Sequence, residues 1–211
     1  MKSLINKHKI VWADKLFVIS SIIAFLAFSA SLFVNYGAIL FSTKEMGSAT
    51  TDILLEYLPI INTDIIFSEG ALLFVIFVAI LLILQPRTIP FILKSVALFI
   101  CIRSIFVIMT HLALPLGSIA TDLGNFGYVS SGADLFFSGH TGLPFLMALM
   151  FWENKYLKRI FLFCSVVAAG AVILGHLHYT IDVFAAFFIT YVIYHIAQIF
   201  FQKDYKIFMY V

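Results

Sequence analysis

From Ala71 to Leu84 the chain reads Ala-Leu-Leu-Phe-Val-Ile-Phe-Val-Ala-Ile-Leu-Leu-Ile-Leu, with no polar side chain. A bilayer core takes about 20 apolar residues of helix to cross. Six runs qualify, at 16–41, 66–84, 90–114, 137–152, 159–176 and 180–201. Backbone polar groups in hydrocarbon must pair within their own segment, so each run predicts a helix. The alternation of a membrane strand is missing from a run such as 71–84. The fourth and fifth runs are short, which predicts tilt or a start inside a protein cavity. The composition agrees: 63% of residues are hydrophobic and 11% charged, against about 25% charged in a soluble domain. That balance excludes a soluble globular domain, a disordered chain and a nucleic-acid-binding module. The expectation is an all-α, polytopic membrane protein with six transmembrane helices, forming one domain over 1–211.

Lys2, Lys7, His8, Lys9 and Lys15 precede the first run, as in a secretory signal peptide. Leu16 to Phe41 is about twice the length of a signal-peptide core and no small-residue cleavage site follows it, so a retained first span is expected. The connecting segments alternate in charge. Eleven of the 13 Lys and Arg fall on one side of the six-span plan, Lys44 falls on the other, and Arg103 lies inside a span. The positive-inside rule then puts both termini in the cytoplasm, with segments 42–65, 115–136 and 176–180 outward. Gly117, Gly124, Gly127, Ser130, Ser131 and Gly132 predict a flexible or tightly turned segment, not a linker between domains. Cys101 and Cys164 lie inside apolar runs and suggest no disulfide framework.

Polar groups inside membrane helices are costly, so each needs a reason. Ser138-Gly139-His140-Thr141-Gly142 opens the fourth run. Free N–H groups and a positive dipole end there suit an anion such as phosphate, and the glycines admit close approach. A Ser cap with an interfacial histidine is the plainer alternative. In His176-Leu-His178-Tyr-Thr-Ile-Asp182, His178 and Asp182 are spaced i, i+4 and share one helix face. A carboxylate there fixes the imidazole tautomer and stabilises its cation, the support that a nucleophile or general base needs; a structural pair or a metal site is the alternative. Arg103, followed by Thr110, His111 and Pro115, either binds phosphate through its guanidinium fork or pairs helices. His176 and His111 either join the site or sit at the interface, Glu69 is expected at the interface, and His8 reads as a solvated tail residue. His195 and Gln198 are expected to hydrogen-bond between helices. Because the two histidine motifs share the outward side, they offer an acid, a nucleophile and its orienter.

Asp134 with Phe137-Ser138-Gly139-His140-Thr141 resembles the third motif of the sphingomyelin synthases. His178-Tyr179-Thr180-Ile181-Asp182-Val183, continuing to Ala186 and Ile189-Thr190, resembles their fourth. Arg103 with Thr110 and Leu114-Pro115 is similar to their second, and Leu58-Pro59 weakly to their first. That family lies within the type-2 phosphatidic acid phosphatase (PAP2) superfamily, and the resemblance spans about 57–190. It implies His178 as the nucleophile forming a phospho-histidine, Asp182 as its orienter and His140 as the acid that protonates the leaving group. It also implies substrate contacts at Arg103, Asp134, Ser138, Gly139, Thr141, His176 and Tyr179, and an active site on the exoplasmic or lumenal face. Gly132-Ala133 stands where the family has Cys-Gly, Val192 replaces a basic residue of animal enzymes, and Val172 occupies the place of the arginine in soluble-type superfamily phosphatases. Fewer phosphate-binding arginines suit a phosphodiester, which carries less charge than a phosphomonoester.

The function expected is transfer of a phospho-head group from a membrane phospholipid to a lipid hydroxyl, such as ceramide or diacylglycerol, or to water. The acid–base set predicts no metal and no other cofactor, and the partners expected are lipids of the bilayer, not nucleic acid. A lipid phosphatase acting on phosphatidate is the second reading. A small transporter or lipid-binding protein is the third, although the paired, broken spans of transporters are not seen.

Overall fold

The computed structural model describes residues 2–118 and 134–209; the part of the Gly/Ser-rich segment from Gly124 to Gly132 lies outside them. The described residues form helices α1 (Lys2–Trp12), α2 (Lys15–Lys44), α3 (Ile53–Tyr57), α4 (Asp64–Leu84), α5 (Ile89–Thr110), α6 (Gly139–Met150), α7 (Lys155–Leu174), α8 (Thr180–Phe200) and α9 (Gln202–Met209), with a 3₁₀ turn at Pro86–Thr88. Short polar residues start them. Asp14 accepts from the Leu16 N–H at 2.9 Å. Asn154 accepts from the N–H groups of Tyr156 and Leu157, both at 3.1 Å. Each satisfies donors that a first helical turn leaves unpaired.

Five helices are long and apolar enough to cross a membrane: Lys15–Lys44, Asp64–Leu84, Pro86–Thr110, Lys155–Leu174 and Thr180–Phe200. The expected fourth span departs from this. Its helix, α6, has 12 residues, a length of about 18 Å against a hydrocarbon core of about 30 Å. Its position explains the shortness. Gly139 begins beside the Arg103 guanidinium, seven residues before the end of α5, about 10 Å below that end.

Contacts at the helix ends order the bundle. At one end the Gly47 N–H donates to the His111 carbonyl at 2.8 Å, and the Ile61 N–H to the Leu174 carbonyl at 2.9 Å. This end gathers the C-termini of α2, α5 and α7 with the N-termini of α4 and α8. At the other end Phe151, just past α6, stacks on Phe161 at 5.8 Å and meets Phe208 of α9 at 5.5 Å. Most of the Lys and Arg gather here. Thus α6 runs from the first end to the basic end.

Phe91, Phe99, Phe137, Leu146, Met147 and Phe161 fill the centre, while Ala24 and Phe28 of α2 pack on Ile89 and Leu93. Ile65, Phe33, Phe188 and Phe163 stay exposed, as suits helices whose solvent is hydrocarbon. Lipid tails are as apolar as leucine, so packing and polar pairing hold such a bundle, not a hydrophobic gain. One polar link is Lys94, which donates to Asp204 at 2.6 Å and to Ser20 at 2.7 Å, joining α5, α9 and α2. Only Leu81 of α4 is buried, so that helix packs loosely and leaves a cleft beside it. Two expectations are corrected. His195 Nδ1 lies 2.9 Å from Gln198 Oε1 within α8 itself, because i, i+3 side chains share a face, so this pair does not bridge helices. His8 is no free tail residue: its Nε2 meets the Ile83 carbonyl at 2.8 Å, capping the last turn of α4.

Candidate active site

The segment before α6 is held by Arg103. Its Nε donates to the Phe137 carbonyl at 2.7 Å, Nη1 to Asp134 Oδ1 at 2.5 Å and Nη2 to the Asp134 carbonyl at 2.9 Å. Arg103 is buried at 6% exposure, so the pair neutralises a charge that hydrocarbon would penalise. Arg103 thus ties α5 to the segment that precedes α6, and two of its five N–H donors remain beyond these bonds. Ser138 caps α6, its Oγ facing the Thr141 N–H at 3.4 Å. The amides of Gly139 and His140 belong to the first turn and have no intrahelical acceptor. Pro144, inside the helix, has no N–H for the His140 carbonyl. The two glycines sit in different surroundings. A Cβ on Gly142 would lie 2.7 Å from Phe99 Cζ and 2.9 Å from Thr190 Oγ1, so its smallness serves helix packing. A Cβ on Gly139 would meet Arg103 Nε at 3.3 Å.

The turn between α7 and α8 carries the second histidine motif. Gly175 closes α7 with φ −79°, and His176 takes the left-handed conformation, φ 52°. Glycine commonly fills that position after a helix end, so His176 stores backbone strain. Its ring is buried, with Nδ1 3.5 Å from the Leu116 carbonyl and Nε2 without a partner among the described residues. Asp182, fully buried, accepts from the Tyr179 N–H at 3.0 Å through Oδ2. The same oxygen lies 3.4 Å from His178 Nδ1. This is ion-pair distance, but the angle does not make a hydrogen bond. The Tyr179 hydroxyl donates to the Ala113 carbonyl at 2.9 Å and accepts from the Thr50 N–H at 3.1 Å. Those bonds make it a pin for the segments above.

The Ser138 N–H donates to the Asp182 carbonyl at 3.1 Å, fastening the start of α6 to the first turn of α8. His140 thereby comes within electrostatic reach of both His178 and Arg103. Its ring stacks on Phe67, centroids 4.0 Å apart. Beside it runs a cavity of about 580 Å³ between α2, α4, α5, α6 and α7. Phe74, Phe99, Leu143, Phe163 and Val167 give it apolar walls, and Arg103, Asp134, Gly139 and His140 form a polar part. His178, His176 and Asp182 do not line it. Thr141 Oγ1 is buried without a partner among the described residues. Among the described residues no group of three or more His, Cys, Asp or Glu is placed to hold a metal ion.

Sequence reasoning missed Asp52. It accepts from the Thr180 N–H at 2.6 Å and the Thr180 hydroxyl at 2.9 Å, capping α8 across 128 positions. It also accepts from the N–H groups of Leu54 and Leu55. Burial pushes its carboxyl up, but the bonds from Thr180, Leu55 and Leu54 outweigh that and hold it below the usual range. Its position directly before Ile53 was the only hint, as the N-cap of α3.

Residues 132–199 match the family model of the PAP2 superfamily C-terminal domain. The matched segment contains both histidine motifs, and it supports membership of that superfamily. No curated protein and no solved structure matches the chain.

Proposed function

We propose that this chain is a six-pass membrane enzyme that moves a phospho-head group from a phospholipid to a lipid hydroxyl or to water, through a phospho-histidine. The observation that carries the proposal is His140 at the polar part of a long apolar cavity, fastened by the Ser138–Asp182 bond to the His178–Asp182 pair. A lipid whose chains lie along Phe74 and Phe163 presents its phosphate near His140 and Arg103.

His178 Nε2 attacks phosphorus, the bond to the lipid oxygen breaks, and His140 gives that oxygen its proton. An acceptor hydroxyl then returns a proton to His140 as its oxygen attacks phosphorus and the P–N bond breaks. Asp182 holds His178 Nδ1 and stabilises the imidazolium. Apo geometry at such pairs is often loose and tightens with substrate, and the 3.4 Å separation fits that pattern. Because His178 lies off the cavity wall, the reaction requires a rearrangement that brings its Nε2 to the phosphate. The amides opening α6 and the remaining N–H groups of Arg103 are the donors for phosphoryl oxygens. Asp134, Ser138 and Gly139 build that loop, His176 Nε2 and Thr141 Oγ1 supply unpaired polar atoms beside it, and Tyr179 positions the turn. The termini and the basic end lie in the cytoplasm and the site opens outward.

Purified protein given a panel of labelled phospholipids, with and without ceramide or diacylglycerol, tests the reading by mass spectrometry of products. Head-group transfer or release from a phosphodiester, lost in His178→Ala, is expected. Turnover of phosphatidate alone would replace the proposal with the lipid-phosphatase reading. Lipid movement between leaflets without any product would replace it with the transporter reading.

A further inference from the structure

A second cavity lies at the opposite, basic end of the bundle, far from the histidines. It measures about 250 Å³ and is walled by Lys7, Ile10 and Val11 of α1 and by Leu84, Gln85, Pro86 and Arg87 after α4. Its construction follows from the α1 sequence. Leu4, His8 and Val11 recur at i, i+4 and i+7 and are the less exposed residues, while Lys7 and Lys9 stay exposed, which makes a short amphipathic helix of the kind that lies in a membrane interface. The His8 bond to the Ile83 carbonyl fixes α1 against the end of α4, and the chain then turns at Pro86. The result is a notch with an apolar floor and two cations. Among the described residues neither Lys7 nor Arg87 has an ion-pair partner. The nearby acids are committed elsewhere: Asp14 caps α2, and Asp204 pairs with Lys94.

Two unpaired cations above exposed Ile10 and Leu84, at the depth where a span ends, call for a ligand with both an anionic head and an apolar tail. Basic pockets at helix ends on the cytoplasmic side bind anionic lipid heads. A volume just under the roughly 300–1,000 Å³ of a small-ligand site takes a head group and the top of its chains, not a whole lipid. We infer that this notch between α1 and the α4–α5 turn is a structural binding site for one anionic phospholipid, distinct from the lipid that reacts. The phosphate sits between Lys7 and Arg87 and the chains run down the outer faces of Leu84 and Ile10. The inference needs only the membrane setting and not the proposed reaction.

Native mass spectrometry of the full chain in detergent tests it, with phosphatidylglycerol and phosphatidylcholine of identical chains as probes. The wild type is expected to retain phosphatidylglycerol over phosphatidylcholine. Lys7→Gln with Arg87→Gln should weaken phosphatidylglycerol retention by about thirtyfold and abolish the preference. Lys203→Gln with Lys206→Gln, at the same end on α9, should leave it unchanged. Ile10→Trp, which fills the notch and keeps both cations, should weaken retention as well. An unchanged preference in the Lys7/Arg87 pair overturns the site. Equal loss in the Lys203/Lys206 pair also overturns it, because a diffuse basic surface then does the binding. Displacement of phosphatidylglycerol by millimolar inorganic phosphate would identify a free-anion site and overturn the lipid assignment. Thermal unfolding of each variant separates loss of the fold from loss of the ligand: a variant that melts like the wild type yet releases the lipid supports the site.

Discussion

Arg103 shows how one side chain serves both fold and chemistry. Its charge is compensated by Asp134 at 2.5 Å, and Asp134 is itself 26% exposed. Removing one partner of a buried pair leaves an uncompensated charge, which costs up to about 3–5 kcal/mol. Asp134→Ala should therefore destabilise by about 3 kcal/mol, at the lower end because Asp134 is partly exposed. The double variant Arg103→Met with Asp134→Leu should recover much of that stability in a thermal or denaturant melt. If Arg103 also binds phosphate, the double variant stays inactive despite its recovered fold; full activity would make the arginine purely a fastener. The histidines separate in a different way. His140→Ala should be slow on natural lipids, whose alkoxides leave poorly, and should recover partly on a nitrophenyl phosphodiester, which needs little protonation. His178→Ala and His178→Gln should stay inactive on both and trap no phospho-enzyme. Rescue of His178→Ala in place of His140→Ala would reverse the two roles.

The elements place those residues through contacts of unequal legibility. An apolar run of about 20 residues has one solution in hydrocarbon, so five of the six runs gave helices close to their expected positions. The shortness of α6 was legible in its run at 137–152, but what fixes its start was not. Its start is set by the Arg103 side chain of another helix and by the Ser138–Asp182 bond, neither of which follows from local sequence. His178 and Asp182 were legible as neighbours because four residues make about one helical turn. The clasp from Asp52 to Thr180 was not, since 128 residues separate its ends. Asp52→Ala should destabilise the start of α8 by about 1–2 kcal/mol, the range of a lost cap. The pH dependence has a definite sign. The folded carboxyl lies below its ordinary value, so its contribution is complete above the unfolded pKa of about 3.9 and fades as pH falls through the folded one. Melts of wild type and Asp52→Asn should therefore differ most above pH about 4 and converge in stronger acid. A gap that widened on acidification would place the stabilising charge elsewhere.

At the scale of the whole molecule the open quantity is the number of crossings. Five helices suffice by length, and five crossings would leave the termini on opposite sides. The proposed count is six, and two contacts bear on it. Leu174, at the end of α7, bonds Ile61 beside the start of α4, while Phe151, at the end of α6, packs on Phe208 of α9 at the basic end. Helix α6 therefore joins the two ends, and its neighbours cover what its own length does not: Leu146, Met147, Ala148, Leu149 and Met150 are all buried. A short helix of this kind is tolerable at membrane depth because protein, not lipid, surrounds it. The basic residues give the same count, eleven on one side and Lys44 alone on the other. Glu45→Cys and Lys155→Cys, each in a chain with Cys101 and Cys164 replaced, report the result with an impermeant thiol reagent on intact cells. Six crossings predict labelling at Glu45→Cys alone, with Lys155→Cys reacting after permeabilisation. If α6 turns back without crossing, the two positions share a side and label together. Labelling of Lys155→Cys alone would keep six crossings and invert them, which would put His140 and its cavity on the cytoplasmic face.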